Sequence, residues 1–143
     1  MADSEVLRGK VLKRTLPVVP SPAPAGAPAN RRFFLPQGEL AQIYDGDEPI
    51  RYIAFVELRA GGVRGNHYHK FKEEFVYVIQ GELELVVEEL TSKTRARVWL
   101  QTGDLAVIQT GIAHALRTVT PGHAIEFSKT RFDAGDSYPF QLA

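Results

Sequence analysis

His67 and His69 stand two residues apart, Glu74 follows five residues after His69, and His114 lies on a separate stretch opened by Gly111. On a β-strand, residues i and i+2 share a face, so both imidazoles of the His67-Tyr68-His69 segment project to one side. Residues 70–73 can turn the chain, and Glu74 then begins a return strand opposite the histidines. His114 reaches the same point only if the sheet closes or folds over on itself. Three imidazoles and one carboxylate suit a single divalent ion, Zn(II), Fe(II), Mn(II), Ni(II) or Cu(II), with positions left for water or substrate. The chain contains no cysteine, which excludes disulfides and thiolate ligands and leaves nitrogen and oxygen donors. A lone histidine on a strand is ordinarily just a satisfied polar residue, and Glu73 is an alternative carboxylate beside Glu74.

The elements that must position these groups read as β throughout. Residues 51–58 (RYIAFVEL) and 75–79 are rich in branched and aromatic side chains. Residues 82–88 alternate apolar and acidic with period two, as a strand with one wet face should. Four more strands are expected at 96–101, 105–109, 113–118 and 124–128, with Gly81, Gly103, Gly111 and Pro121-Gly122 marking the turns. No window carries sustained helical spacing. If Glu74 points inward, so do Val76 and Val78, and Phe75, Tyr77 and Ile79 face outward. That outer row needs a cover, either Phe33-Phe34-Leu35 or a second copy of the chain, and a homodimer is the expectation.

Residues 1–30 differ from the rest: Pro17, Pro20, Pro22, Pro24 and Pro28 alternate with Ala, Ser and Gly, which reads as a flexible arm preceding a β domain over 31–143. The 143 residues favour one domain, and 17 basic residues balance 17 acidic ones. No cationic excess points to nucleic acid or to a membrane surface. The N-terminal residues lack an apolar stretch of signal-peptide type, so the expected location is cytoplasmic.

The spacing resembles that of the cupin superfamily. Gly61, His67, His69, Glu74 and Gly81 match the first cupin motif over 61–81. Gly103, Gly111 and His114 match the second over 103–118, with Gln109 in place of its proline and Thr118 in place of its asparagine. The resemblance spans about residues 51–132. It implies an all-β double-stranded β-helix, or jelly-roll barrel, with His67, His69, Glu74 and His114 as ligands lining its interior.

Within that superfamily, Arg64-Gly65-Asn66-His67-Tyr68-His69-Lys70 is similar to segments of dTDP-sugar 3,4-ketoisomerases and dTDP-4-dehydrorhamnose 3,5-epimerases. It is also similar to the cupin domain of bifunctional capsular-sugar reductase/epimerases, whose C-terminal stretch Phe132-Asp133 through Asp136-Ser137-Tyr138-Pro139 resembles. These likenesses imply a small-molecule substrate, a nucleotide-linked 4-keto sugar, isomerised or epimerised by proton removal next to its carbonyl. His67 is then the expected base and Tyr138 (or Tyr77) the acid, with Arg64, Lys70 and Arg117 binding substrate. The ketoisomerases usually carry Gln where this chain has Glu74, which tilts the site toward metal. An imidazole that ligates a metal cannot also serve freely as base, so His67 is asked for two roles. A metal-dependent dioxygenase and a non-catalytic ligand-binding barrel are the alternatives.

Overall fold

The computed structural model describes residues 3–143. Among the described residues eleven strands run in chain order: β1 (Ser4–Val6), β2 (Val11–Thr15), β3 (Arg31–Leu35), β4 (Gly38–Gln42), β5 (Tyr52–Leu58), β6 (Val63–Tyr68), β7 (Glu74–Glu89), β8 (Arg95–Gln101), β9 (Asp104–Ile108), β10 (Ile112–Ser128) and β11 (Tyr138–Pro139). One 3-10 turn, Ala134–Asp136, precedes β11. The expected all-β jelly roll is the architecture found. No helix among the described residues is long and apolar enough to cross a membrane.

Two long strands, β7 and β10, organise the barrel. They pair antiparallel along their whole length, from Ile112 opposite Glu89 to Phe127 opposite Phe75. Each changes neighbours halfway. The first half of β7 pairs with β9 and the second with β8. The first half of β10 pairs with β6 and the second with β5. The chain therefore forms two layers that share these strands, one of β8, β7, β10, β6 and β11 and the other of β1, β2, β9, β7, β10 and β5.

This continuity differs from the sequence expectation, which broke each long strand in two at Gly81 and at Pro121-Gly122. Both breaks are bends. Gly81 holds φ +112, and a Cβ there would stand 2.6 Å from the Thr120 carbonyl oxygen; a Cβ on Gly122 would stand 1.8 Å from that of Gln80. Two backbones crossing this closely admit only glycine. The register slips between Thr118 and Ala124 as bulges take up the bend.

The arm also differs from expectation. Ser4–Val6 and Val11–Thr15 are strands of the main sheet, with β2 added to β9 from Val11↔Ile108 to Thr15↔Asp104. Leu7 and Val11 enter the barrel core with Val76, Val78 and Leu85. Proline governs only the later part of the arm, residues 17–28, where a ladder hydrogen bond cannot be donated.

Strand parity holds on β7. Val76 and Val78 pack inward, while Phe75 and Tyr77 pack outward with Leu16, Leu105, Val107 and Phe127. The cover is not Phe33-Phe34-Leu35: none of the three joins the cluster of Phe75 and Tyr77, and Phe34 is exposed. Leu12 and Leu16 of the arm and Ile43, Tyr44 and Ile50 close this face within one chain. Ile79 lies beyond the cover and stays partly exposed.

Candidate metal centre and its cavity

The two layers bring different chemistry to one end of the barrel. Three imidazoles come from the β6 side: His67 within β6, His69 just beyond it, and His114 near the start of β10, directly opposite His67. Glu74 comes from the first residue of β7, in the other layer. One donor atom from each of the four lies within 4.8 Å of the others. Glu73, the alternative carboxylate, turns aside to Gln109 and Lys129.

Backbone geometry sets the aim of the histidines. Gly65 has φ +89, and a Cβ there would lie 2.7 Å from the His114 carbonyl oxygen. Asn66, with φ +55, forms the bulge between Gly65 and His67. Its side chain is bound to the C-terminal residues: its Oδ1 accepts from the amides of Leu142 and Ala143, and its Nδ2 donates to the Ala143 oxygen. The turn after β6 is fastened by Asp136. That buried carboxylate accepts from the amides of Lys70 at 2.8 Å, Phe71 at 3.1 Å and Lys72 at 3.1 Å.

The same C-terminal segment orients the rings. His69 Nδ1 donates to the Asp136 carbonyl oxygen at 2.7 Å, and His114 Nδ1 donates to the Ile112 carbonyl oxygen at 3.1 Å. His67 Nδ1 lies 3.2 Å from Ser137 Oγ, which can accept its N–H. With Nδ1 of His69 and His114 committed as donors, each Nε2 presents a lone pair. Both Nε2 atoms are buried without a hydrogen-bond partner, each 3.5 Å from an oxygen of Glu74.

That arrangement is the test of fit for a metal. Lone pairs facing a carboxylate are unsatisfied unless a proton or a cation lies between them. Donors bound to one ion at about 2.1 Å stand roughly 3–3.4 Å apart, close to the 3.5 Å that separates Glu74 from His69 and from His114. The donor set and the orphaned nitrogens fit a divalent ion.

In the metal-free protein the charges divide unevenly. Burial and the charges of His114 and His69 push His67 down to about 4. Burial likewise lowers His114. Burial works against a charged His69 too, but its contact with Glu74 and the Asp136 carbonyl raise it overall. Burial works against a charged Glu74, yet the contact with His69 and the charges of His114 and Lys72 hold it at about 2. The distances are equal at 3.5 Å on both sides, but the shifts are opposite, His69 raised and His114 lowered.

The cluster borders a cavity of about 440 Å³ lined by His67, His69, Lys72, Glu74, Glu126, Phe132, Asp133, Ala134 and Ser137. Lys72 reaches Glu74 at 3.3 Å and lies over the Tyr52 ring. Phe132 stacks on Tyr52, with ring centroids 5.7 Å apart.

Several residues expected in the site are elsewhere. Tyr138 pairs beside Tyr68 on β11 and stacks on its ring at 5.1 Å, on the side of β6 away from the histidines. Lys70 follows it, its ammonium 4.4 Å above the Tyr138 ring. Tyr77 lies in the outer apolar cluster. Arg117 faces outward and pairs with Glu84 at 3.7 Å. Arg64 donates to the Glu57 carbonyl oxygen at 3.3 Å and lines a neighbouring polar recess with Arg59 and Thr118. Lys72, Glu126, Asp136 and Ser137 were given no site role from the sequence. Glu126 alternates there with Ile125 and Phe127, which sets it opposite those two but does not place it in the cavity, and Asp136-Ser137 lie in the C-terminal stretch that carries the resemblance.

The two departures from the second motif are accommodated locally. The Gln109 amide donates to Lys10 at 3.0 Å, a bond to the arm that proline could not make, and Thr118 holds the Gly61-Gly62 turn through two backbone hydrogen bonds.

A two-layer jelly roll with three histidines and a glutamate converging inside one end defines the class. The family model for the cupin domain matches residues 54–128, and the chain belongs to the cupin family. A search of curated proteins returns no match. Among solved structures, the chain is similar to the dTDP-4-dehydrorhamnose 3,5-epimerase of Bacillus anthracis, at 15% identity and TM-score 0.71 over 95% of this chain and 81% of that one. It is similar to the WlaRB TDP-quinovose 3,4-ketoisomerase of Campylobacter jejuni, at 15% identity and TM-score 0.67 over 77% and 88%. It is also similar to the capsular polysaccharide assembling protein CapF of Staphylococcus aureus, at 20% identity and TM-score 0.59, where 66% of this chain matches 27% of that one. At these identities the likeness is one of fold.

Proposed function

We propose that this protein binds one divalent metal ion through His67, His69, Glu74 and His114 and isomerises or epimerises a nucleotide-linked 4-keto sugar. The observation that carries the reading is the cavity itself. It sets three of the four convergent donors, His67, His69 and Glu74, beside a charged wall, with Lys72, Asp133 and Ser137 at hand for hydroxyl groups. Its fold is that of proteins described as sugar-nucleotide epimerases and ketoisomerases. The bound ion would polarise the carbonyl beside the carbon that loses its proton. Within the chain, Asp136 and Ser137 hold the imidazoles in register, and Phe132 and Tyr52 offer an aromatic face to a sugar ring. Arg64, which forms no ion pair among the described residues and lines the recess with Arg59 and Thr118, is the candidate for holding the diphosphate.

The test is solvent exchange. Protein purified without added ions, analysed for metal and then incubated in D2O with dTDP- and UDP-linked 4-keto sugars, should introduce deuterium next to the carbonyl. Absence of exchange with every sugar, together with iron in the protein and O2 uptake, would replace this reading by the dioxygenase. A charged cavity wall speaks against that alternative. We further propose a homodimer through the outer face of β5, where Ile53 and Phe55 are 68% and 66% exposed. A clean monomer on sizing at low micromolar concentration would refute it.

A further inference from the structure

The reaction just proposed needs a group that moves a proton, and the structure removes the expected ones. Tyr138 and Tyr77 face away from the cavity. His67 stands in the ligand set, so its free nitrogen is committed. Two carboxyls outside the ligand set line the cavity. Asp133 is exposed and accepts from the Gly135 amide at 2.9 Å, which leaves Glu126. Glu126 sits on the second half of β10, between Ala54 of β5 and Val76 of β7. Its neighbours Ile125 and Phe127 turn to the outer cluster and Ala124 to the core, so Glu126 faces inward. It lines the same cavity as His67, His69 and Glu74. Ala54 directly across the strand leaves it room.

No hydrogen bond or ion pair ties this carboxyl among the described residues. A half-buried carboxylate kept for stability is normally paired. Glu126 instead carries a cost: burial, and then the charge of Glu74, raise its proton affinity, with Lys72 and Arg64 offsetting in part. Groups left in that condition inside a cavity concentrate at functional sites.

We propose that Glu126 is the catalytic proton carrier, and that it moves one proton between adjacent carbons of the sugar on a single face. The proposal rests on the reading of the site as a sugar-nucleotide isomerase. The Glu126 carboxylate takes the hydrogen from the hydroxyl-bearing carbon beside the carbonyl. The C–H electron pair becomes the C=C bond and the carbonyl π pair moves to oxygen. The neighbouring hydroxyl proton passes to that oxygen, the other oxygen re-forms a carbonyl, and the C=C pair takes the proton back from Glu126 at the adjacent carbon. No oxidant is consumed and the carboxylate is restored. Inversion at one carbon would need a second free acid–base group on the opposite wall, and that wall is the imidazole layer. The arrangement therefore specifies 3,4-keto isomerisation over epimerisation.

The experiment uses the full chain loaded with Co(II) and dTDP-4-keto-6-deoxyglucose carrying deuterium at C3. Wild-type protein should form the 3-keto isomer with part of the deuterium transferred to C4. Glu126→Gln should lower both product formation and loss of C3 deuterium by about 10²–10⁴-fold, the usual contribution of a positioned acid–base group. Its Co(II) absorption spectrum and titration endpoint should match wild type, which shows that the fold and the ligands survive. Glu126→Asp, one methylene short, should retain part of the activity and guards against misfolding of the first variant. Wild-type turnover by Glu126→Gln, or a C3-inverted product with solvent hydrogen and no transfer, overturns the assignment to Glu126. Wild-type protein that neither isomerises the sugar nor releases its deuterium overturns the sugar-nucleotide reading itself.

Discussion

The two layers of the barrel meet at one cavity but face different worlds outside. The imidazole layer, with β8 and β6, turns a charged face to water, where Arg97 and Arg117 meet Glu84 and Arg95 meets Glu88. The carboxylate layer, with β9 and β5, turns Phe75, Tyr77 and Phe127 outward, and the arm and residues 41–50 seal them. Behind Glu74 and Glu126, the outer side of this wall is sealed at Phe75, Tyr77 and Phe127. Desolvation presses on both, yet they respond in opposite ways. Glu74 has His69, His114 and Lys72 within reach and stays ionised down to about pH 2. Glu126, diagonal to it on the same wall, has no such partner and its proton affinity rises. Burial alone does not set a carboxyl's role; the charge assembled from the opposite layer does.

The contrast between outer faces can be broken most directly at Phe75, which stacks on Phe127 with centroids 4.9 Å apart. Phe75→Ala should cost about 3–5 kcal/mol in urea unfolding, as buried aromatic truncations do. Trp99→Ala on the wet layer, where the ring is 43% exposed, should cost no more than about 0.5 kcal/mol, typical of exposed sites. Equal losses would show that the arm is not a seal.

The contrast between the carboxyls should appear as opposite pH dependence in the metal-free protein. Glu74 has its folded value depressed, from 4.5 to about 2. Its ionised form therefore contributes stability that is present above pH 4.5 and is lost as the pH falls through that window. Glu74→Gln should erase that dependence and be the less stable protein at neutral pH. Glu126 has its folded value raised, so its ionisation costs stability above that value and the cost vanishes below 4.5. Glu126→Gln should accordingly be more stable than wild type at neutral pH and equal to it in acid. Denaturation curves from pH 3 to 8 that move the same way for both variants would break the comparison.

The C-terminal fastening should register next. Asp136→Asn removes a carboxylate that holds the turn carrying His69 and Lys72. It should weaken Co(II) or Zn(II) binding by about 10–100-fold, the usual cost of losing a group that orients a ligand. Titration against a chelator reads this, and wild-type affinity would mean the turn holds itself. The smallest effect is expected at Tyr138, whose ring lies outside the cavity. Tyr138→Phe should leave both exchange and metal affinity unchanged, and a loss of exchange would restore the tyrosine that the geometry has set aside.

Alternation along a strand is local, so the sequence by itself determined much of the inner wall. It put His67 and His69 on one face, set Glu74, Val76 and Val78 inward, and set Phe75 and Tyr77 outward. The three-residue step from His114 to Arg117 puts Arg117 on the opposite face, against the substrate-binding role that the resemblance implied. Parity does not survive a bulge. The register slips between Thr118 and Ala124 cut Glu126 off from any count begun at His114, and only the closed β10 shows it in the cavity. Lys70, Tyr138, Asp136 and Ser137 depend on how the C-terminal segment returns across β6, with Tyr138 set beside Tyr68. That pairing joins residues some seventy positions apart, and no local rule reaches so far. What only the tertiary structure decided is which side chains meet: the cover over Phe75, the hold on the histidine rings, and the place of Glu126 on the cavity wall. These are set by closure of the barrel, which costs chain entropy and is repaid by contacts between distant segments.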